Sequence, residues 1–149
     1  MDIKNWLRSA PQNYNLALTL MRVVVGITFM AHGWQKLFTN GIEGVGGFFG
    51  SLGIPAAGFF AVVVTLLELF GGLALILGIG TRIISALLAV NMLVALLMVH
   101  VSNGFFVSNG GYELVLLLMV GSISLALAGA GAWSLDEQIA PADMELSAS

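Results

Sequence analysis

Apolar residues run along this chain in four blocks, at about 16–38, 56–79, 82–101 and 111–130, each broken by very few polar positions. A helix rising 1.5 Å per residue needs about 20 residues to cross a hydrocarbon core of about 30 Å. None of the blocks keeps the two-residue alternation of a membrane β-strand, so a closed barrel is not expected. The pattern predicts an all-α polytopic membrane protein, a four-helix transmembrane bundle forming a single membrane domain over residues 1–149. Between the second and third spans stands only Gly78-Ile79-Gly80-Thr81-Arg82, which forces an antiparallel hairpin. The connection over 39–55 is glycine-rich yet apolar, with Ile42, Val45, Phe49 and Leu52 recurring every three to four residues. That stripe predicts a short interfacial helical segment, either a plain connector or a lid over a site. A polar tail, 134–149, follows the fourth block.

Composition agrees with this picture. The chain has 149 residues, 58% of them hydrophobic and 9% charged, too little polar surface to clothe a soluble domain. The first block follows a polar, amphipathic lead and contains Arg22, His32 and Lys36 without a small-residue cleavage site, so it reads as a retained span. There is no cysteine, which excludes disulfides, thiol redox chemistry, cysteine-ligated iron–sulfur clusters and covalent haem attachment within this chain. The net charge of −3 gathers in the C-terminal tail and gives no reason to expect a nucleic-acid partner. Lys4, Arg8, Arg22 and Arg82 fall on one side of the bundle and Lys36 alone on the other. By the positive-inside rule both termini are expected in the cytoplasm.

Ionisable groups inside or at the rims of membrane spans are costly, and they persist where they pair, line a wet cavity or do chemistry. Counting rise per residue sorts them into three layers. His32 and Lys36 stack one turn apart in the outer half of the first span, at the level of His100, Tyr112 and Glu113. Glu68 and Asn91 fall near the midplane, placed to hydrogen-bond each other across the hairpin. Arg22, Arg82 and Asp136 fall on the cytoplasmic side, where structural ion pairs are expected. Each group also has a plain reading. His32 can bond a backbone carbonyl, Lys36 can snorkel to headgroups, His100 can be merely interfacial, and Glu113 can serve as a helix N-terminal acid. Glu68 is the hardest to explain as idle, and with His32 it is the catalytic candidate. The binding candidates are His32, Lys36, Glu68, Asn91, His100, Tyr112 and Glu113; no metal site is expected.

Ala31-His32-Gly33-Trp34-Gln35-Lys36, then Leu52-Gly53-Ile54-Pro55, then Glu68-Leu69-Phe70-Gly71-Gly72, ending in Gly80-Thr81-Arg82, resembles the DoxX family of small four-helix membrane proteins. The C-terminal part, Gly111-Tyr112-Glu113 through Gly129-Ala130-Gly131-Ala132-Trp133-Ser134-Leu135-Asp136, resembles that family's ending, with Ala130 where a proline is usual. The resemblance implies an oxidoreductase or quinol-oxidase-like subunit, with relatives in thiosulfate:quinone oxidoreductase and membrane redox complexes. It implies His32, Lys36 and Glu68 as shared polar positions without assigning them roles.

The leading expectation is a quinone- or quinol-interacting subunit of a membrane oxidoreductase. His32, His100 or Lys36 would supply donors, and Glu113 and Glu68 would exchange protons. The alternative is a non-catalytic scaffold or assembly subunit; transport of a small solute or proton is a third. The cofactor stays open: a quinone fits the pattern, whereas a haem between His32 and His100 is disfavoured because His100 lies at the membrane edge. The expected partners are the bilayer and a protein of a redox complex or a second copy of the chain.

Overall fold

The computed structural model describes residues 13–139, all-helical and without a strand among the described residues. The first span is α1 (Tyr14–Trp34), which runs on through a wide π-helical turn at Gln35–Asn40. The chain breaks at Gly41, whose φ of 71° belongs to the left-handed region, and continues as α2 (Gly41–Ser51). The connection expected to be a helical turn or two is thus an eleven-residue helix. It folds back against the start of α3 (Ala57–Leu77), with Val45 buried and Gly46 facing Gly58.

After α3 the hairpin turns through Gly78 and Gly80, at φ 73° and 57°, a tightness that only glycines allow without strain. α4 (Thr81–Ala95) leads into a second π-helical turn at Leu96–His100. A compact loop then folds back on itself, with Tyr112 and Glu113 donating their N–H groups to the carbonyls of Gly104 and Phe105. α5 (Glu113–Ala128) is shorter than the expected span: 16 residues reach about 24 Å. Gly110, Gly129 and Gly131, all at positive φ, end the helical run on both sides. A last short helix, α6 (Leu135–Ile139), lies at the same end of the bundle as the start of α1.

The spans do not pack evenly. α1 and α3 meet backbone to backbone through glycines: a Cβ on Gly72 would lie 2.5 Å from the Met30 nitrogen and 2.6 Å from the Gly26 carbonyl. α4 and α5 form the other close pair, whereas α3 and α4 touch much less despite being joined by the hairpin. Leu18, Val25, Phe29, Leu75, Leu88, Met92, Val115, Leu118 and Leu125 fill the centre. Outward-facing residues such as Val24, Phe70, Ile83, Leu117 and Leu127 are large, apolar and exposed, as lipid contact requires.

At the end carrying residues 13 and 139 the segments are sewn together. Thr19 donates its hydroxyl to the Ala132 carbonyl at 2.7 Å, Ala132 N–H bonds the Asn15 carbonyl, and Asp136 N–H bonds the Gly78 carbonyl. The opposite end has fewer such ties, and there the two helix pairs splay around a cavity.

Candidate functional site

Glu68 lies on the buried face of α3, in step with Thr65, Gly72 and Leu75, and is 2% exposed. Across the hairpin Asn91 donates its amide to Glu68 Oε1 at 2.9 Å. Lys36, in the wide turn after α1, donates its ammonium to Glu68 Oε2 and forms an ion pair there. The carboxylate is therefore held by a cation on one side and an amide on the other. A glutamate can be kept charged in an apolar interior only with such partners.

Counting residues placed Lys36 one layer further out than Glu68. The two layers merge because Gly33 lies against the backbone of Glu68 and Leu69, which brings α1 and α3 level at that point. Lys36 is then about 4.5 Å further along the axis, within reach of its own stem. The wide turn that carries it, and the one ending at His100, are of the kind that gathers at functional sites.

Lys36, Glu68 and Asn91 sit on the wall of a cavity of about 720 Å³ between the two helix pairs. That volume is typical of a small-molecule site. Most of the rest of the wall is apolar, including Phe29, Phe48 and Phe49, then Leu67, Leu114 and Leu118. Phe48 and Phe49 come from α2, so this helix covers the cavity as well as connecting two spans. The hydrophobic pattern pointed to Phe49 but not to Phe48 or Phe29, because an aromatic inside an apolar block carries no separate signal.

His32 and His100 also line the cavity. His32 Nδ1 bonds the Thr28 carbonyl at 2.9 Å and His100 Nδ1 bonds the Gly110 carbonyl at 2.7 Å. A carbonyl only accepts, so each ring carries a proton on Nδ1, and Nε2 is the nitrogen not engaged by these bonds. Lys36 has two further N–H donors beyond its bond to Glu68, and the Asn91 carbonyl is an additional acceptor. The site thus offers both donors and acceptors to a polar group entering an apolar chamber.

The other expected members lie elsewhere. Tyr112 packs its ring edge-on against Phe105, 5.5 Å between centroids, and Glu113 opens α5; neither lines the cavity. Glu113 at a helix start interacts favourably with the helix dipole.

The ion pairs expected among Arg22, Arg82 and Asp136 do not form among the described residues, where Lys36–Glu68 is the only salt bridge. Backbone groups take the three side chains instead. Arg82 donates to the carbonyls of Leu127 and Ala128, closing the end of α5. Arg22 is 1% exposed and reaches the Trp133 carbonyl at 3.4 Å, while its Nε and Nη1 have no hydrogen-bond partner among the described residues.

Asp136 accepts from the N–H groups of Gly80 at 2.7 Å and Thr81 at 2.9 Å, capping α4 from a distant segment. Desolvation pushes the Asp136 carboxyl up, but the Thr81 and Gly80 N–H bonds and the Arg22 charge outweigh it and hold it below its usual value. The carboxylate therefore stabilises the fold above about pH 4, and that contribution fades as pH falls through the lowered folded value. Asp136→Asn should cost about 1–2 kcal/mol at neutral pH and flatten this acid limb, read by thermal unfolding between pH 3 and 7. An unchanged acid limb would show that Asp136 has no such role.

The geometry defines a class: an all-helical membrane protein whose bundle encloses an apolar cavity with a buried carboxylate–ammonium–amide cluster on its wall. The DoxX family model matches residues 17–101, more than half of the sequence, and the chain belongs to that family. It is 37% identical to a Bacillus subtilis protein named "Putative oxidoreductase CatD", over 84% of this chain and 88% of that one. It is 31% identical to an uncharacterized membrane protein of Mycobacterium tuberculosis, over 80% of this chain and 78% of the other. The inner membrane protein YqjF of Escherichia coli is 30% identical, over 82% of this chain and 91% of its own length. No solved structure matches the chain.

Proposed function

We propose that this DoxX-family chain is a quinone- or quinol-binding subunit of a membrane oxidoreductase system. The observation that carries the reading is the Lys36–Glu68–Asn91 cluster on the wall of a mostly apolar cavity that His32 and His100 also line. A quinone presents two carbonyl oxygens on an apolar ring, and Lys36 has N–H groups to donate to one of them. A quinol presents hydroxyls, for which the Asn91 carbonyl and the imidazole Nε2 atoms are acceptors. The name of the Bacillus subtilis relative points the same way.

Reducing a quinone to a quinol takes two electrons and two protons. Glu68 and Lys36 form a pair able to pass a proton to the ring oxygen and be reloaded, while the electrons come from a partner protein. In this reading the end carrying residues 13 and 139 faces the cytoplasm of a bacterial inner membrane, consistent with Arg22 and Arg82 at that end.

Titrating the purified protein in lipid nanodiscs with decylubiquinone and with a short-chain menaquinone tests the proposal. Saturable binding of one quinone per chain is expected for at least one of them. Absence of saturable binding for both would overturn the reading and leave a scaffold subunit as the better account.

A further inference from the structure

We infer that the quinone enters sideways from the bilayer and leaves its prenyl tail in a slot between α3 and α4. This rests on the quinone reading above and adds where the ligand comes from and which part of it the protein leaves in lipid. Part of the cavity wall is made of apolar residues with large accessible surface: Phe60 of α3 is 41% exposed, and Leu87, Val90 and Val94 of α4 are 49%, 60% and 46% exposed. Met98, in the turn that follows α4, is 44% exposed and lines the cavity too. Leu87, Val90, Val94 and Met98 form one apolar stripe along the α4 run beside Phe60, and we assign this stripe as the mouth of the cavity.

All five are apolar. Leu87 to Met98 spans about 16 Å along the helix axis, inside the membrane-crossing part of the chain. A mouth of this kind opens on hydrocarbon and not on water. α3 and α4 stay in touch at Gly71–Leu88 and at the Glu68–Asn91 bond but pack less extensively than α1–α3 and α4–α5, which leaves room between them beyond that bond. The remaining side is covered by α2, whose Phe48 and Phe49 line the cavity.

The polarity along this route matches one kind of molecule. The charged and amide groups, Lys36, Glu68 and Asn91, lie inside, and the five side chains between α3 and α4 are apolar. A phospholipid lying in the bilayer has the opposite arrangement, its charged head at the membrane surface and its tails in the core. A long-tailed quinone has a modestly polar ring that can leave the hydrocarbon for the cluster and a tail that stays in the slot. Val94, at the middle of the mouth, is placed to contact the first isoprene units.

The test uses the full chain in nanodiscs with two probes, a quinone carrying a photoactivatable diazirine on its tail and the tail-free ring, ubiquinone-0. Affinities are expressed per lipid-phase concentration, so that partitioning of the tail into the membrane does not count as binding. The tailed probe is expected to crosslink to Leu87, Val90 or Val94 and to bind at least tenfold more tightly than ubiquinone-0. Val94→Trp should reduce that ratio at least fivefold. Binding of both probes with equal affinity, or crosslinks confined to the loop at residues 101–112, would overturn the lateral entry while leaving the quinone reading intact. Binding of neither probe would overturn both.

Discussion

Replacing Glu68 with glutamine is expected to lower stability by about 3 kcal/mol and to reduce quinone affinity at least tenfold. Glutamine keeps the size of the side chain and can still meet Asn91, so the change isolates the charge. Lys36 then faces a neutral amide from a site where its side chain is 23% exposed. Removing one member of a buried pair costs about 3–5 kcal/mol, and partial exposure of Lys36 puts this case at the lower end. Lys36→Met combined with Glu68→Met should recover most of the stability, because an apolar pair of similar volume carries no desolvation cost. It should not recover quinone binding. Thermal unfolding and quinone titration on the same nanodisc samples separate the two effects. A Glu68→Gln protein that binds quinone like the parent would remove this carboxylate from the proposed site.

The second large effect comes from a glycine. Gly33→Ala would set a Cβ 2.7 Å from the Leu69 Cα and 2.9 Å from the Glu68 carbonyl carbon. Both are backbone atoms of a packed helix and cannot swing aside as a side-chain tip would, so α1 and α3 must separate. Overpacking of this sort costs about 1–3 kcal/mol, and backbone contact puts Gly33→Ala near 3. Because Gly33 sets the level at which Lys36 meets Glu68, quinone affinity should fall with stability. Gly44→Ala is the control: nothing lies within 4 Å of the added carbon, and a change within about 0.5 kcal/mol is expected. Equal behaviour of the two variants would show that the α1–α3 contact does not depend on the absence of a side chain.

Much of the architecture is legible in the hydrophobic pattern, because four apolar blocks separated by glycine-rich breaks leave little choice in a bilayer. The hydrogen bond between Asn91 and Glu68 was foreseeable for the same reason. A five-residue turn fixes the register of a hairpin, so residues at equal distance from the turn face each other. The Lys36–Glu68 contact was not, because counting from the membrane boundary assumes parallel, untilted spans. The glycines that let α1 and α3 slide level are visible in sequence, but their partner helix is not.

The layer of Arg22, Arg82 and Asp136 misled for a different reason. Arg22, Arg82 and Asp136 read as mutual partners by charge. In the fold, helix ends supply unpaired carbonyls and N–H groups nearer to them than they are to one another. Tyr112 and Glu113 do not line the cavity, and level alone does not give the direction of a side chain.

The bundle is tied at one end and splayed at the other, which makes it a clothes-peg. Thr19, Ala132, Asp136 and the Gly78–Gly80 turn form the spring. α4 extends about 22 Å from that spring. A tilt of about 5° there moves its far end by about 2 Å. Lateral pressure from the surrounding lipid acts on these same jaws, so the width of the slot belongs jointly to the protein and to the membrane that holds it.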